Sequence, residues 1–177
     1  MPEHPQPADP DSTRRGLARW MYHLTWVALL FLLTLFFDGV VEDRRNPNRH
    51  LGSEAGTEVV LKRNAGGHYV APGRINGEPV TFLLDTGATR VSVPESLADR
   101  LGLERGARQQ SMTASGMVSV YATRLDSVQL GGIELRNVPA SINPFMPEDT
   151  VLLGMSFMQH LDMVQRDGTL SLSVPSR

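Results

Sequence analysis

Asp85, Thr86, Gly87 and Ala88 follow an apolar run, Val80-Thr81-Phe82-Leu83-Leu84. A carboxylate placed directly after a buried strand is costly unless it is hydrogen-bonded or used for chemistry. Thr86 brings a hydroxyl that can donate, and Gly87 lets backbone amides come close to the carboxylate. Peptide hydrolysis by carboxylates needs two of them around one water. One is ionised to take a proton, and the other is protonated to polarise the carbonyl. The chain has only one Asp-Thr-Gly.

The other acids of the C-terminal part have plainer places. Asp99 falls on a short helix, Asp126 before a strand, Asp149 in a loop and Asp167 in an Asp-Gly turn. Asp162 lacks the following hydroxyl and glycine. The economical arrangement is a two-fold dimer that brings two copies of Asp85 together. Two carboxylates so placed share one proton, so activity is expected to follow a bell in pH on the acid side of neutral.

The elements that must position Asp85 are short strands. Residues 58–63 and 68–71 read as one hairpin, through Asn64-Ala65-Gly66-Gly67. Asn76-Gly77 is the strongest hairpin signal, and it feeds the strand that ends at Leu84. Residues 90–93 give a further strand and 94–101 a short helix, stopped by Gly102. Strands are expected at 109–113, 117–123, 127–130, 133–138 and 151–153, with a helical turn at 156–159. Asp167-Gly168 closes a last hairpin from 161–165 to 169–174. Evenly spaced short strands with one or two short helices predict an all-β domain, a small closed or nearly closed barrel.

The N-terminal part is different. Residues 1–13 are rich in proline and acid, and the whole of 1–19 is expected to be a disordered cytoplasmic terminus. Residues 20–37 are apolar apart from His23, Thr25 and Thr34, and as a helix they span about 27 Å, close to a bilayer core. Trp20, Tyr22 and Trp26 suit an aromatic belt. Arg14, Arg15 and Arg19 precede the run, while Asp38, Glu42 and Asp43 partly offset Arg44 and Arg45 after it. The expectation is an uncleaved single-pass anchor in the cell (inner) membrane, with the C-terminal domain on the exported, periplasmic side. A signal peptide fits less well, because Phe36-Phe37-Asp38-Gly39-Val40 is a poor cleavage site. Residues 38–56 read as a flexible linker reaching about 25 Å. The domain then occupies residues 57–177.

Composition removes several function classes. A net charge of −2 gives no basic field, so nucleic acid is not an expected partner. There is no cysteine, which excludes disulfides, thiolate nucleophiles and Cys-ligated zinc. The five histidines show no paired or HExxH spacing, so neither a metal nor another cofactor is expected.

Three features lie in a set order: the strand with Asp85-Thr86-Gly87-Ala88, a hairpin with Thr113-Ala114-Ser115-Gly116 at its tip, and Leu152-Leu153-Gly154 before a helical turn. This order resembles the retropepsin-like aspartic peptidases, in particular their bacterial branch with a single membrane anchor, over residues 57–174. The resemblance implies the acid-protease barrel and a homodimeric endopeptidase acting on peptide or protein substrates. It makes Asp85 the catalytic aspartate, has Thr86 brace the active-site loop that includes Ala88, and sets Gly87 beside substrate. Ser115, Gly116 and Met117 would belong to a flap that closes over peptide. Leu152, Leu153 and Gly154 would support the Asp85 loop from behind. The single glycine at the flap tip and the loop at 143–148 depart from the viral pattern. A retropepsin-like domain that binds peptides or partners without cleaving them is the alternative, since fold does not fix function.

Overall fold

The computed structural model describes residues 10–52, 56–113, 116–146 and 150–175. The chain divides into two compact units, Met1–Glu42 and Asp43–Arg177.

The first unit is helical: α1 spans Pro10–Arg45 and carries its last residues into the second unit. From Trp20 to Phe37 its side chains are exposed all round, and among the described residues it is the one helix long and apolar enough to cross a membrane. The two threonine hydroxyls in the run are internally satisfied: Thr25 donates to the carbonyl of Met21 and Thr34 to that of Leu30, each at 2.9 Å. Such back-bonding suits a solvent that offers no partners. α1 takes in residues 10–19, expected to lack structure, and runs into the stretch expected as a linker. Once an apolar helix exists, each added turn gains a hydrogen bond for each residue fixed, so flanking turns continue it. Residues 1–9 lie outside those described.

The second unit holds β1 (Glu58–Lys62), β2 (Val70–Ile75), β3 (Glu78–Leu84), β4 (Val91–Pro94), α2 (Glu95–Arg100), β5 (Arg108–Thr113) and β6 (Gly116–Leu130). It continues with β7 (Ile133–Asn143), β8 (Val151–Leu153), α3 (Met155–Met158), β9 (Asp162–Arg166) and β10 (Thr169–Ser173). A seven-stranded sheet runs β2-β3-β8-β4-β7-β6-β5, and a three-stranded sheet runs β1-β10-β9. β2 also pairs with β6 over Gly73↔Leu130 to Ile75↔Val128, which curls the large sheet back on itself. Closure is partial, because β4 and β8 share the single pair Ser92↔Leu152 and β5 projects as an edge. The mostly-β fold matches expectation; the fully closed barrel does not form. Phe82, Phe157, Ile75, Leu125, Leu130 and Leu153 fill the core.

The turn chemistry is local. Asn76 and Gly77 take φ of 52° and 85°, and Asp167 and Gly168 take 50° and 75°, as two-residue hairpin loops demand. The expected hairpin of 58–63 with 68–71 is not formed. β1 pairs instead with β10 from Glu58↔Ser173 to Lys62↔Thr169, which puts Val59 and Leu61 on the same buried face as Leu170 and Leu172. Burial across distant strands outweighs the short loop here. The strands expected at 117–123 and 127–130 are one, β6, and β7 runs on past 138 to Asn143. Asn137 turns to φ 56° opposite Asp126, yet the register is the same at Leu125↔Val138 and Ser127↔Arg136.

Part of the stretch expected as a linker is packed on the domain. Asn48 is buried; its Nδ2 donates to the carbonyls of Lys62 at 2.9 Å and Val70 at 2.7 Å, and its Oδ1 accepts the Lys62 N–H at 2.7 Å.

Candidate active site

Asp85 stands where β3 ends, and the neighbouring strand fixes its backbone. β3 and β8 run parallel, pairing Phe82↔Val151, Leu83↔Leu152 and Leu84↔Leu153. The Leu84 N–H donates to the Tyr69 carbonyl at 3.0 Å, and the Asp85 N–H to the Leu153 carbonyl at 3.2 Å. Beyond that bond the chain turns sharply: Asp85 Oδ1 accepts the Gly87 N–H at 2.9 Å, and its carbonyl accepts the Ala88 N–H at 3.2 Å. The carboxylate thus forms its own Asx turn, with Asp85 half-buried and Thr86 and Gly87 exposed.

The segment behind the loop is locked to it. α3 begins at Met155, and its first N–H groups need partners outside the helix. The Met155 N–H donates to the Ala88 carbonyl at 2.8 Å and the Ser156 N–H to the Thr89 carbonyl at 3.0 Å. Ser156 is buried, and its Oγ accepts the Val91 N–H at 3.0 Å. Between them Gly154 lies against the backbone, where a Cβ would overlap the carbonyl oxygen of Arg90. Leu153 is fully buried and Leu152 half-buried. Leu153 and Gly154 therefore pack against the Asp85-Thr86-Gly87-Ala88 segment, with Leu152 paired to Leu83.

The hairpin of β5 and β6 pairs Met112↔Met117 and Thr113↔Gly116. Its end is tied by Thr113 Oγ1, which donates to the Gly116 carbonyl at 2.8 Å, and Gly116 takes φ 115°, open to glycine alone. Met112 and Met117 are 76% and 61% exposed, so neither is a core residue. Ser115 lies outside the described residues. Among the described residues one side-chain hydrogen bond joins this hairpin to the Asp85 loop: the Arg90 guanidinium donates to Gln109 Oε1 at 3.1 Å.

Among the described residues no hydrogen bond or ion pair brings a second carboxylate to Asp85. Asp99 is held by Arg105 at 2.7 Å, Asp126 is exposed on β6, Asp162 begins β9, and Asp167 is in its turn. A hollow of about 550 Å³ is bounded by Lys62, Arg63, Asn64, Asp167, Gly168 and Thr169, far along the chain from the Asp85 loop and lined by none of it. Described His, Asp and Glu residues form no cluster able to hold a metal.

Sequence reasoning missed Ser156, Arg90 and Asn48. A serine two residues after Gly154 carries no signal of the strand N–H it will meet. Asn48 sat among turn-forming residues, and its partners lie 14 and 22 positions away.

The family model described as gag-polyprotein putative aspartyl protease matches residues 71–160, about half of the chain. An uncharacterized protein in the cobV 5′ region of a Sinorhizobium species is 32% identical over 116 residues, 64% of this chain. The chain spans only 50% of that relative. An uncharacterized protein of Rickettsia prowazekii (strain Madrid E) is 24% identical over 160 residues, covering 83% of this chain and 68% of the relative. Among solved structures, a retropepsin-like aspartic protease from Rickettsia conorii is similar at a TM-score of 0.56 and 26% identity, covering 66% of this chain and 90% of that one. The matched span takes in β3 with Asp85, the β5–β6 hairpin and β8 with Gly154. The chain belongs to the retropepsin-like aspartic proteases.

Proposed function

We propose that the protein is a membrane-anchored aspartic endopeptidase whose active site is completed by a second copy of the chain. The observation that carries this is the Asp85 loop. Its carboxylate is positioned by β8 and by the Gly87 amide, it remains partly open to solvent, and among the described residues no other acid is bonded to it. Two such carboxylates across a two-fold axis would hold one water. The ionised Asp85 takes the proton of the attacking water, and its protonated partner donates to the carbonyl oxygen, giving a tetrahedral diol. A proton then passes to the leaving amine as the C–N bond breaks, so one water is consumed and the pair returns to a single shared proton. Ser115, Gly116 and Met117 would close over the peptide, Gly87 would border it, and Thr86 would brace the loop.

The apolar run at 20–37 would anchor the chain, and the arginines before it favour an exported, periplasmic domain. Tethering to a membrane raises the concentration at which two copies meet and helps a weak dimer form. The test is a peptide-library digest by the full chain in detergent beside Asp85→Asn, with the oligomeric state measured on the same sample. Cleavage by the wild type alone supports the proposal. Equal cleavage by both overturns it, and no cleavage by either leaves a peptide-binding domain in its place.

A further inference from the structure

Charge is segregated along the three-stranded sheet β1-β10-β9. By register, Lys62, Thr169 and Arg166 form one cross-strand row, and Glu58, Ser173 and Asp162 form another, four residues away. At a strand rise of about 3.3 Å per residue, the basic row stands about 13 Å from the acidic one. Arg63 follows Lys62, and its N–H donates to the Gly168 carbonyl at 2.8 Å, so it too belongs to the basic end. Lys62 and Arg63 edge the open hollow of about 550 Å³ described above. Residues 43–177 carry as many Asp and Glu as Lys and Arg, so the basic end reflects where charges are placed and not an excess of them.

The last residues of α1, which belong to the second unit, are fastened to the same place. The final carbonyls of a helix lack partners inside it. Here the Arg45 carbonyl accepts Asn64 Nδ2 at 2.9 Å, and the Arg44 carbonyl accepts the Ala65 N–H at 3.2 Å. Asn64 is held in turn by His68: its N–H donates to the His68 carbonyl at 2.8 Å, and its Oδ1 accepts the His68 N–H at 2.9 Å. Arg44 and Arg45 are thereby brought to the end of the sheet that carries Lys62, Arg63 and Arg166, and all five are exposed. Among the described residues none of the five is in an ion pair. Of the acids near them in the chain, Asp43 is held by Arg49 at 2.9 Å, which leaves Asp167 against five cations.

We propose that this basic end of the second unit is a docking surface for anionic phospholipid headgroups. The inference rests on the anchored reading above and adds a second, electrostatic attachment to it. Chain length brings the two surfaces within reach. Phe37 closes the apolar run and Arg45 lies eight residues later, a stretch of at most about 29 Å even when fully extended. The polar layer over the hydrocarbon takes up roughly 5–7 Å of that. Tethering at this distance gives the bilayer a high effective concentration, and charge then selects the face that meets it. Each Lys or Arg close to an anionic bilayer favours the docked state about fivefold, and arginine grips a phosphodiester with two parallel N–H groups. Docking by Lys62, Arg63 and Arg166 turns the Glu58 and Asp162 end of the sheet away from the lipid, so it also sets the domain's orientation.

The experiment reconstitutes the full chain into vesicles, in an Asp85→Asn background so that proteolysis plays no part. The chain has no cysteine, so Ala65→Cys carries a single environment-sensitive fluorophore on the turn that holds the helix end. Vesicles of phosphatidylcholine alone are compared with vesicles that also contain phosphatidylglycerol, and flotation reports whether the chain is bound. The probe is expected to shift to the blue only with phosphatidylglycerol. The shift should fade as salt rises from about 0.1 to 1 M, which shortens the screening length from about 10 to 3 Å. Lys62→Gln with Arg63→Gln should lower the ratio of docked to free domain about twenty-five-fold, about fivefold for each charge removed. Arg100→Gln with Arg136→Gln makes the same net change elsewhere and should leave that ratio as it is. If the chain floats with both vesicles but the probe reads alike in both, the surface does not dock while the anchor stands. A shift that survives high salt, or that survives the Lys62 and Arg63 substitutions, overturns the inference too. The salt titration needs no substitution, so it decides even where a variant fails to fold. If the chain floats only with phosphatidylglycerol and high salt releases it, the anchor falls; docking then stands where Lys62→Gln with Arg63→Gln abolishes flotation, and falls where it does not. A chain that floats with neither overturns both.

Discussion

Gly154 lies flat against the Asp85 loop: a Cβ there would overlap the carbonyl oxygen of Arg90 and stand 2.6 Å from that of Ala88. Both oxygens belong to backbone, which cannot swing aside as a side chain can. Gly154→Ala is expected to push the loop away from β8 and to cost about 1–3 kcal/mol of stability, as overpacking does. Peptide cleavage should fall at least about a hundredfold, because displacing a reacting group by about 1 Å is enough for that loss. Urea unfolding and a cleavage assay on one preparation check both numbers.

Asp85→Asn keeps an oxygen that can accept the Gly87 amide, now 2.9 Å away, so the turn should survive. Stability is expected to stay within about 1 kcal/mol of wild type, the scale of one neutral hydrogen bond. Cleavage should fall by roughly a thousandfold or more, since the amide can neither take the water's proton nor share one. Thermal unfolding beside the peptide assay separates lost chemistry from lost fold.

If two copies of Asp85 share one proton as proposed, the rate depends on pH. In such a pair, full protonation would leave no base and full ionisation no acid. The rate is expected to pass through one maximum on the acid side of neutral and to fall on both sides of it. A profile flat from about pH 3 to 9 would sink the two-carboxylate mechanism.

Asn48→Ala tests the packing of the segment before β1. It removes three hydrogen bonds, leaving the Lys62 N–H and the carbonyls of Lys62 and Val70 short of partners. Unsatisfied buried groups cost about 1–3 kcal/mol each, partly recovered where water enters, so a loss of roughly 2–4 kcal/mol is expected. A chain cut to begin at Thr57 should lose a similar amount. Denaturant midpoints of the three proteins give the comparison.

Much of the site was legible because it is local. The Asx turn at Asp85 needs only residues 85–88, and the apolar strand that delivers it reads directly from residues 80–84. Asn76-Gly77 and Asp167-Gly168 named their hairpins through their tolerance of positive φ. Leu152-Leu153-Gly154 was legible as a strand ending in glycine, and the resemblance placed it behind Asp85. Why it must be glycine was not: the clash is with Arg90 and Ala88, brought there by the parallel pairing of β3 with β8.

What the sequence by itself determined, then, is the carboxylate turn at Asp85, the periodicity of the strands, and the apolar run that α1 extends. These rest on nearest neighbours and on a fixed alternation of side chains. Tertiary structure alone decided which strand meets which. β1 turned away from its sequence neighbour because Val59 and Leu61 are buried beside Leu170 and Leu172, more than a hundred residues on. The same choice placed Asn48 over one edge of that sheet and left Val164 open on the other. Adjacency along a chain is written in the order of residues, but hydrophobic burial and hydrogen-bond satisfaction are settled only among surfaces that folding has brought together.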